Sequence, residues 1–124
     1  MTDLTKNILT TTLYRPVGPK ELALIELSGW TKFPPRLPEQ PIFYPVMNED
    51  YAIKIARDWN VNSSGSGFVT KFDVKSDYIK KFDIKNVGEK HHNELWIPAE
   101  DIDEFNDNIV GQIVVTKSFY LTNK

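Results

Sequence analysis

Apolar and polar residues fall into blocks whose period switches between two and roughly 3.6, and those blocks predict short strands alternating with short helices. Thr10 to Val17 (Thr-Thr-Thr-Leu-Tyr-Arg-Pro-Val) is β-branched and aromatic, a strand expected to end where Pro16 removes a ladder donor. Gly18-Pro19-Lys20-Glu21 then opens a helix with Pro in its first turn, and Gly29 stands where a left-handed cap belongs. Leu22, Leu24, Ile25 and Leu27 give this helix a wide apolar face. From Trp30 to Pro41, four prolines in the last eight residues exclude a regular helix or a central strand. Trp30, Phe33 and Leu37 make this an extended segment lying on the domain rather than a solvated linker. Ile42 to Val46 reads as a second strand. Asn48-Glu49-Asp50 caps and opens a helix running to about Trp59. Tyr51, Ile55 and Trp59 recur on one face with Ala52 and Ala56 beside them, so the helix can approach a sheet closely.

Asn60 to Gly67 has the composition of a flexible loop. Phe68, Thr70, Phe72 and Val74 alternate against Val69, Lys71 and Asp73, the signature of a strand with one buried face. Ser76 to Ile79 reads as one helical turn, Phe82 to Lys85 as a short extended piece, and His91 to Pro98 as a strand through Leu95-Trp96-Ile97. An acidic first turn, Ala99-Glu100-Asp101, starts a helix carrying Ile102, Phe105 and Ile109, and Gly111 to Thr116 closes the pattern as a strand. This order has too few βαβ units for a doubly wound sheet, so the expected class is α+β with about three short helices around a small sheet. Residues 1–124 form one domain, with 1–11 a flexible N-terminus and 60–67 a flexible loop.

Composition narrows the function. Fifteen Lys and Arg against seventeen Asp and Glu leave a net charge of −2, so general nucleic-acid or membrane attraction is not expected. The absence of Cys excludes disulfides, thiolate metal sites and cysteine nucleophiles. His91 and His92 are adjacent and would point to opposite faces of a strand, so no metal is expected. The first residues lack the apolar core of a signal peptide, and no apolar run reaches the roughly 20 residues of a membrane span. A cytoplasmic protein is expected, or one exported without an N-terminal signal. Phosphate-binding loops, dinucleotide glycine fingerprints, nucleophile elbows and zincin pairs are absent.

Three residues have settings that permit chemistry. Arg15, before Pro16 at a strand end, could grip a phosphate or carboxylate in bidentate fashion, or form a surface ion pair. Tyr44, between Phe43 and Pro45, could stack on a flat ring or simply pack in the core. Glu94 opens an otherwise apolar strand with Trp96 as its alternation partner, and is either the polar end of that strand or a carboxylate held for function.

Leu13-Tyr14-Arg15-Pro16-Val17-Gly18-Pro19-Lys20-Glu21-Leu22, Phe33-Pro34-Pro35-Arg36-Leu37-Pro38, Pro41-Ile42-Phe43-Tyr44-Pro45-Val46, Ala56-Arg57-Asp58-Trp59-Asn60 and Glu94-Leu95-Trp96-Ile97-Pro98-Ala99-Glu100 together resemble small bacterial proteins labelled "ADP-ribosylation/crystallin J1". Their layout is similar to a compact ADP-ribosyltransferase-type domain. It does not resemble the larger all-helical ADP-ribosylglycohydrolases that the crystallin part of the label evokes. The resemblance implies NAD as co-substrate and cleavage of the nicotinamide–ribose bond, by transfer or by hydrolysis. It further implies Arg15 as phosphate or ribose anchor, Tyr44 or Phe43 as nicotinamide platform and Glu94 as catalytic carboxylate. His92 stands where many members carry Glu or Gln to engage the acceptor, and the Ser-Thr-Ser motif of the superfamily is missing. The acceptor would be a protein or a small molecule.

A different class of function is a catalytically silent interaction or regulatory module on the same fold, using the segment from Phe33 to Pro41 and its aromatics. An endoribonuclease using His91 or His92 is weaker, because the chain is acidic and lacks a basic-aromatic stripe. An enzyme should gather Arg15, Tyr44 and Glu94 at one concave pocket, with Glu94 reachable from solvent. A binding module should expose a contiguous apolar patch at Trp30, Phe33 and Leu37.

Overall fold

The structure is a computed structural model that describes residues 9–86 and 92–121. His91 and residues 1–8 of the expected flexible N-terminus lie outside them. The class is α+β, with four helical segments and several small antiparallel sheets among the described residues. β1 (Thr10–Val17), β3 (Ser66–Lys75) and β7 (Ile109–Tyr120) form the main sheet, with β3 in the middle. β2 (Ile42–Phe43) pairs with β6 (Ile97–Pro98), and β4 (Ile84–Asn86) with β5 (Asn93–Leu95). No helix among the described residues is long and apolar enough to cross a membrane.

The backbone at Val46 ties the main sheet to β5. Val46 bridges Tyr14 on β1 and Glu94 on β5. It exchanges both backbone hydrogen bonds with Tyr14, at 2.9 and 2.7 Å, while Met47 N–H donates to the Asn93 carbonyl and Leu95 N–H to the Pro45 carbonyl. On the Val46 side of β1 the next backbone N–H would belong to Pro16, which has none, so pairing stops and the sheet splits. Toward β3 the same proline costs nothing, because Pro16 and Val69 face each other as a pair without ladder hydrogen bonds. The strand therefore runs past Pro16 to Val17 instead of ending there. At its other end it includes Thr10 and Thr11, held opposite Lys75 and Val74, where a flexible terminus was expected.

Both faces of the main sheet are covered. One carries the larger core, with Leu13, Phe33, Phe43, Phe72 and Phe105 interlocked and buried. Phe33 meets Phe43 and Phe72 at centroid separations of 5.1 and 4.8 Å. The proline-rich segment is pinned there by Asn106, whose amide accepts from Phe33 N–H and donates to Phe33 C=O, both at 2.9 Å. Burial of Phe33 removes it from the expected exposed patch, where Leu37 remains exposed and Trp30 half-buried. α1 (Pro19–Leu27) buries Ile25 but leaves Leu24 and Leu27 exposed, so its wide apolar face is only partly used.

The other face packs against α2 (Glu49–Ile55), capped by Asn48, whose side chain accepts from Tyr51 N–H at 3.2 Å. Ala52 and Ala56 are the fully buried contacts, lying with Val46 and Val69. The helix does not stop near Trp59. It continues through a π-helical turn, Ala56–Asn60, into α3 (Val61–Ser64), so most of the expected flexible loop is helical. Val61 is buried, and Gly65 ends the run at φ +85°, a conformation glycine adopts without strain. The Ser76–Ile79 turn forms α4, and Ala99–Asp101 winds as a 3-10 turn into α5 (Ile102–Asp107).

Candidate functional site

The split in the sheet opens a cleft of about 430 Å³ lined on one side by Arg15, Gly18 and Glu21, on another by Arg36 and Tyr44, and on the third by Ile55, Trp59 and Asn60, with Val46 also on its wall. Its size suits a small organic ligand. The π turn matters here, because its extra residue carries Trp59 and Asn60 around to the cleft; Trp59 stays 70% exposed instead of joining Tyr51 and Ile55 against the sheet. Tyr44 is 43% exposed and presents its ring at the same cleft.

Arg15 is buried, and its guanidinium is held twice. Nε donates to Glu21 at 2.7 Å and one terminal nitrogen donates to the other carboxylate oxygen at 3.0 Å, while the plane lies 4.6 Å from the Phe43 ring centroid. Phe43 is completely buried, so it supports Arg15 from the core and offers no face to a ligand. Of the two aromatic candidates, only Tyr44 has an accessible ring. Arg36 also lies near Phe43, 6.0 Å from its centroid. Burial, and after it the charge of Arg15, lowers the Arg36 pKa from its ordinary value, while Glu21 and Tyr44 act the other way. The charged residues on the cleft wall are thus two arginines against one glutamate. Two residues on its wall each carry a polar atom buried without a hydrogen-bond partner, Arg36 Nε and Asn60 Oδ1.

Glu94 lies across the Val46 bridge. Directly paired residues share a face, so Tyr14, Val46 and Glu94 project toward α2, whereas Arg15, one residue on, projects to the opposite face. The side chains of Arg15 and Glu94 therefore approach the split from different sides of the sheet, and Glu94 does not line the Arg15–Tyr44 cleft itself. It is 8% exposed. One oxygen accepts from the Tyr51 hydroxyl at 3.2 Å and the other from the Trp96 indole N–H at 2.7 Å. Tyr51 in turn stacks on His92, with ring centroids 4.1 Å apart and planes 8° from parallel. Burial first, then the Glu94 charge and hydrogen bond, pushes the Tyr51 hydroxyl up to about 12, so it remains a donor at neutral pH.

Two groupings result, Arg15 with Tyr44 at the cleft and Glu94 with His92 and Tyr51 beneath α2, so the three residues expected at one concave pocket are not gathered there. Tyr44 also acts on the ionisation of Tyr51, in the same upward direction as Glu94. Sequence reasoning passed over Glu21, Arg36, Tyr51 and Asn60. Tyr51 carried a signal, its helical spacing with Ile55 and Trp59, but that spacing indicates a packing face and says nothing about a hydroxyl. Among the described residues, no group of three or more His, Asp or Glu could hold a metal ion. Comparison of the chain with family models, curated proteins and solved structures finds no match.

Proposed function

We propose that this chain is an NAD-dependent domain of the ADP-ribosyltransferase type that cleaves the bond between nicotinamide and ribose. The observation that carries the reading is the double pairing of Val46. It sets the Arg15 strand, the Tyr44–Val46 segment and the Glu94 strand side by side at a split in the sheet, with a ligand-sized cleft at the split. NAD is a dinucleotide diphosphate with a flat cationic ring. Two guanidiniums against one carboxylate suit the diphosphate, and the accessible Tyr44 ring suits the nicotinamide.

The chemistry then falls to Glu94. As the C1′–N bond breaks, its electron pair leaves with nicotinamide and neutralises the ring nitrogen, while positive charge develops on the ribose. A fixed carboxylate stabilises that charge and orients a ribose hydroxyl. Tyr51 and Trp96 hold the carboxylate, and each oxygen keeps capacity for one further hydrogen bond. Water or an acceptor nucleophile adds to C1′ and surrenders a proton to the surrounding water, and His92 is the group beside Glu94 suited to face that acceptor.

The internal satisfaction of Arg15 by Glu21, with the low exposure of Glu94, favours a second reading: a binding or regulatory module on the same scaffold that performs no cleavage. Nicotinamide release from NAD separates the two. Wild-type protein is expected to release it, and Glu94→Gln to lose about 100-fold or more while remaining folded. Release unchanged by the substitution removes Glu94 from the mechanism, and NAD binding without release establishes the silent module.

A further inference from the structure

We infer that Arg36 and Asn60 form, with Arg15, a subsite for a nucleoside phosphate, in which the phosphate lies against the two guanidiniums and an amino or hydroxyl donor of the same ligand meets the Asn60 amide oxygen. The two unpartnered atoms carry this. A buried donor or acceptor left unmade costs free energy, and native structures pair nearly all of them. Here Arg36 and Asn60 both line one cleft, and their unpartnered atoms, Nε and Oδ1, are of opposite kinds, a cationic donor and a neutral acceptor. A fully ionised inorganic anion such as sulfate satisfies the first and has no proton to give the second. A phosphate attached to a sugar and base satisfies both, and Trp59, exposed at the same cleft, provides a ring face for the base while Tyr44 is left to the nicotinamide.

The supports of these atoms are built into the fold. Arg36 follows the segment that Asn106 fastens through Phe33, and Asn60 is the last residue of the π turn packed on β3. Glu21 engages one edge of the Arg15 guanidinium through Nε and a single terminal nitrogen, and the remaining edge is left for a phosphate oxygen. The α1 N-terminus adds to the wall at Gly18, where no side chain caps the helix.

The assignment deepens the NAD reading and rests on it for the ligand class, but binding can be read without cleavage. The probes are ADP-ribose, which carries no nicotinamide, and sulfate, which carries no proton, measured by titration calorimetry on the full chain. Arg36→Gln is expected to weaken both by about tenfold. Arg36→Lys, which keeps the charge but loses Nε, should fall between. Asn60→Ala is expected to weaken ADP-ribose and leave sulfate unchanged, a split that general loss of structure would not produce. Wild-type affinity for ADP-ribose in folded Arg36→Gln, equal weakening of both probes in Asn60→Ala, or no ADP-ribose binding by wild-type protein each overturns the subsite. ADP-ribose binding with the expected pattern, in a protein that releases no nicotinamide, supports the subsite and refutes cleavage alone.

Discussion

Tyr51 ties the Glu94 carboxylate to the His92 ring, donating a hydrogen bond to one and stacking on the other. Its hydroxyl must stay protonated to do so, and burial beside Glu94 raises its pKa from 10.0 to about 12. Because the folded protein holds this proton more tightly than the unfolded chain, the stabilisation is fully present below pH 10 and is lost as pH rises toward 12. Tyrosinate absorbance followed against pH is expected to show late-titrating tyrosines, and Tyr51→Phe should remove one of them. Tyr78, raised in the same direction chiefly by burial, should persist as another. An early titration of every tyrosine in the folded protein would contradict the Tyr51–Glu94 bond. At this scale residue types and neighbours single out Arg15, Tyr44 and Glu94, and the structure brings Arg15 and Tyr44 to one cleft while placing Glu94 on the opposite face. Phe43 was misleading, because an aromatic residue has the same pattern whether it faces a ligand or supports a guanidinium from the core.

At the scale of elements, the π turn is the device that shapes the cleft wall, and Gly67 is what lets it dock. A methyl group at Gly67 would collide with the Ala56 carbonyl oxygen and lie 2.8 Å from Asn60 Cβ. Because the obstruction is largely backbone, it cannot be relieved by a side-chain rotation. Gly67→Ala is therefore expected to cost about 1–3 kcal/mol of stability by denaturant unfolding, and to weaken ligand binding at Asn60. Unchanged stability would show that the turn does not rest on β3 as described. The strands and helix starts were legible from period and capping: the Asn48 cap, the proline at the start of α1 and the alternation in β3 all appear. The continuation through Asn60–Gly67 was not, since Ser, Asn and Gly signal a loop by local preference alone. Tertiary burial of Val61 and the close approach at Gly67 override that preference. The persistence of β1 beyond Pro16 was hidden for a related reason, because only the register shows which strand edge the missing N–H faces.

At the scale of the molecule, the fold is two sets of strands tied at Val46 and fused by the Phe33, Phe43, Phe72 and Phe105 core. The tie is narrow and the core broad, so the cleft can open at the split without interrupting the apolar packing behind it. The α+β class was legible from the order of elements, and the split was not, because it depends on which strand meets Val46 on either side. The same placement makes the account demanding: Arg15 and Glu94 project to opposite faces, so one ligand must reach both by running through the split. A crystal structure of Glu94→Gln protein with NAD tests this most directly. The expected result has the diphosphate against Arg15 and Arg36, the nicotinamide on Tyr44, and the attached ribose within hydrogen-bonding reach of position 94. A dinucleotide bound in the cleft with its nicotinamide ribose remote from position 94, or bound elsewhere on the protein, would contradict it.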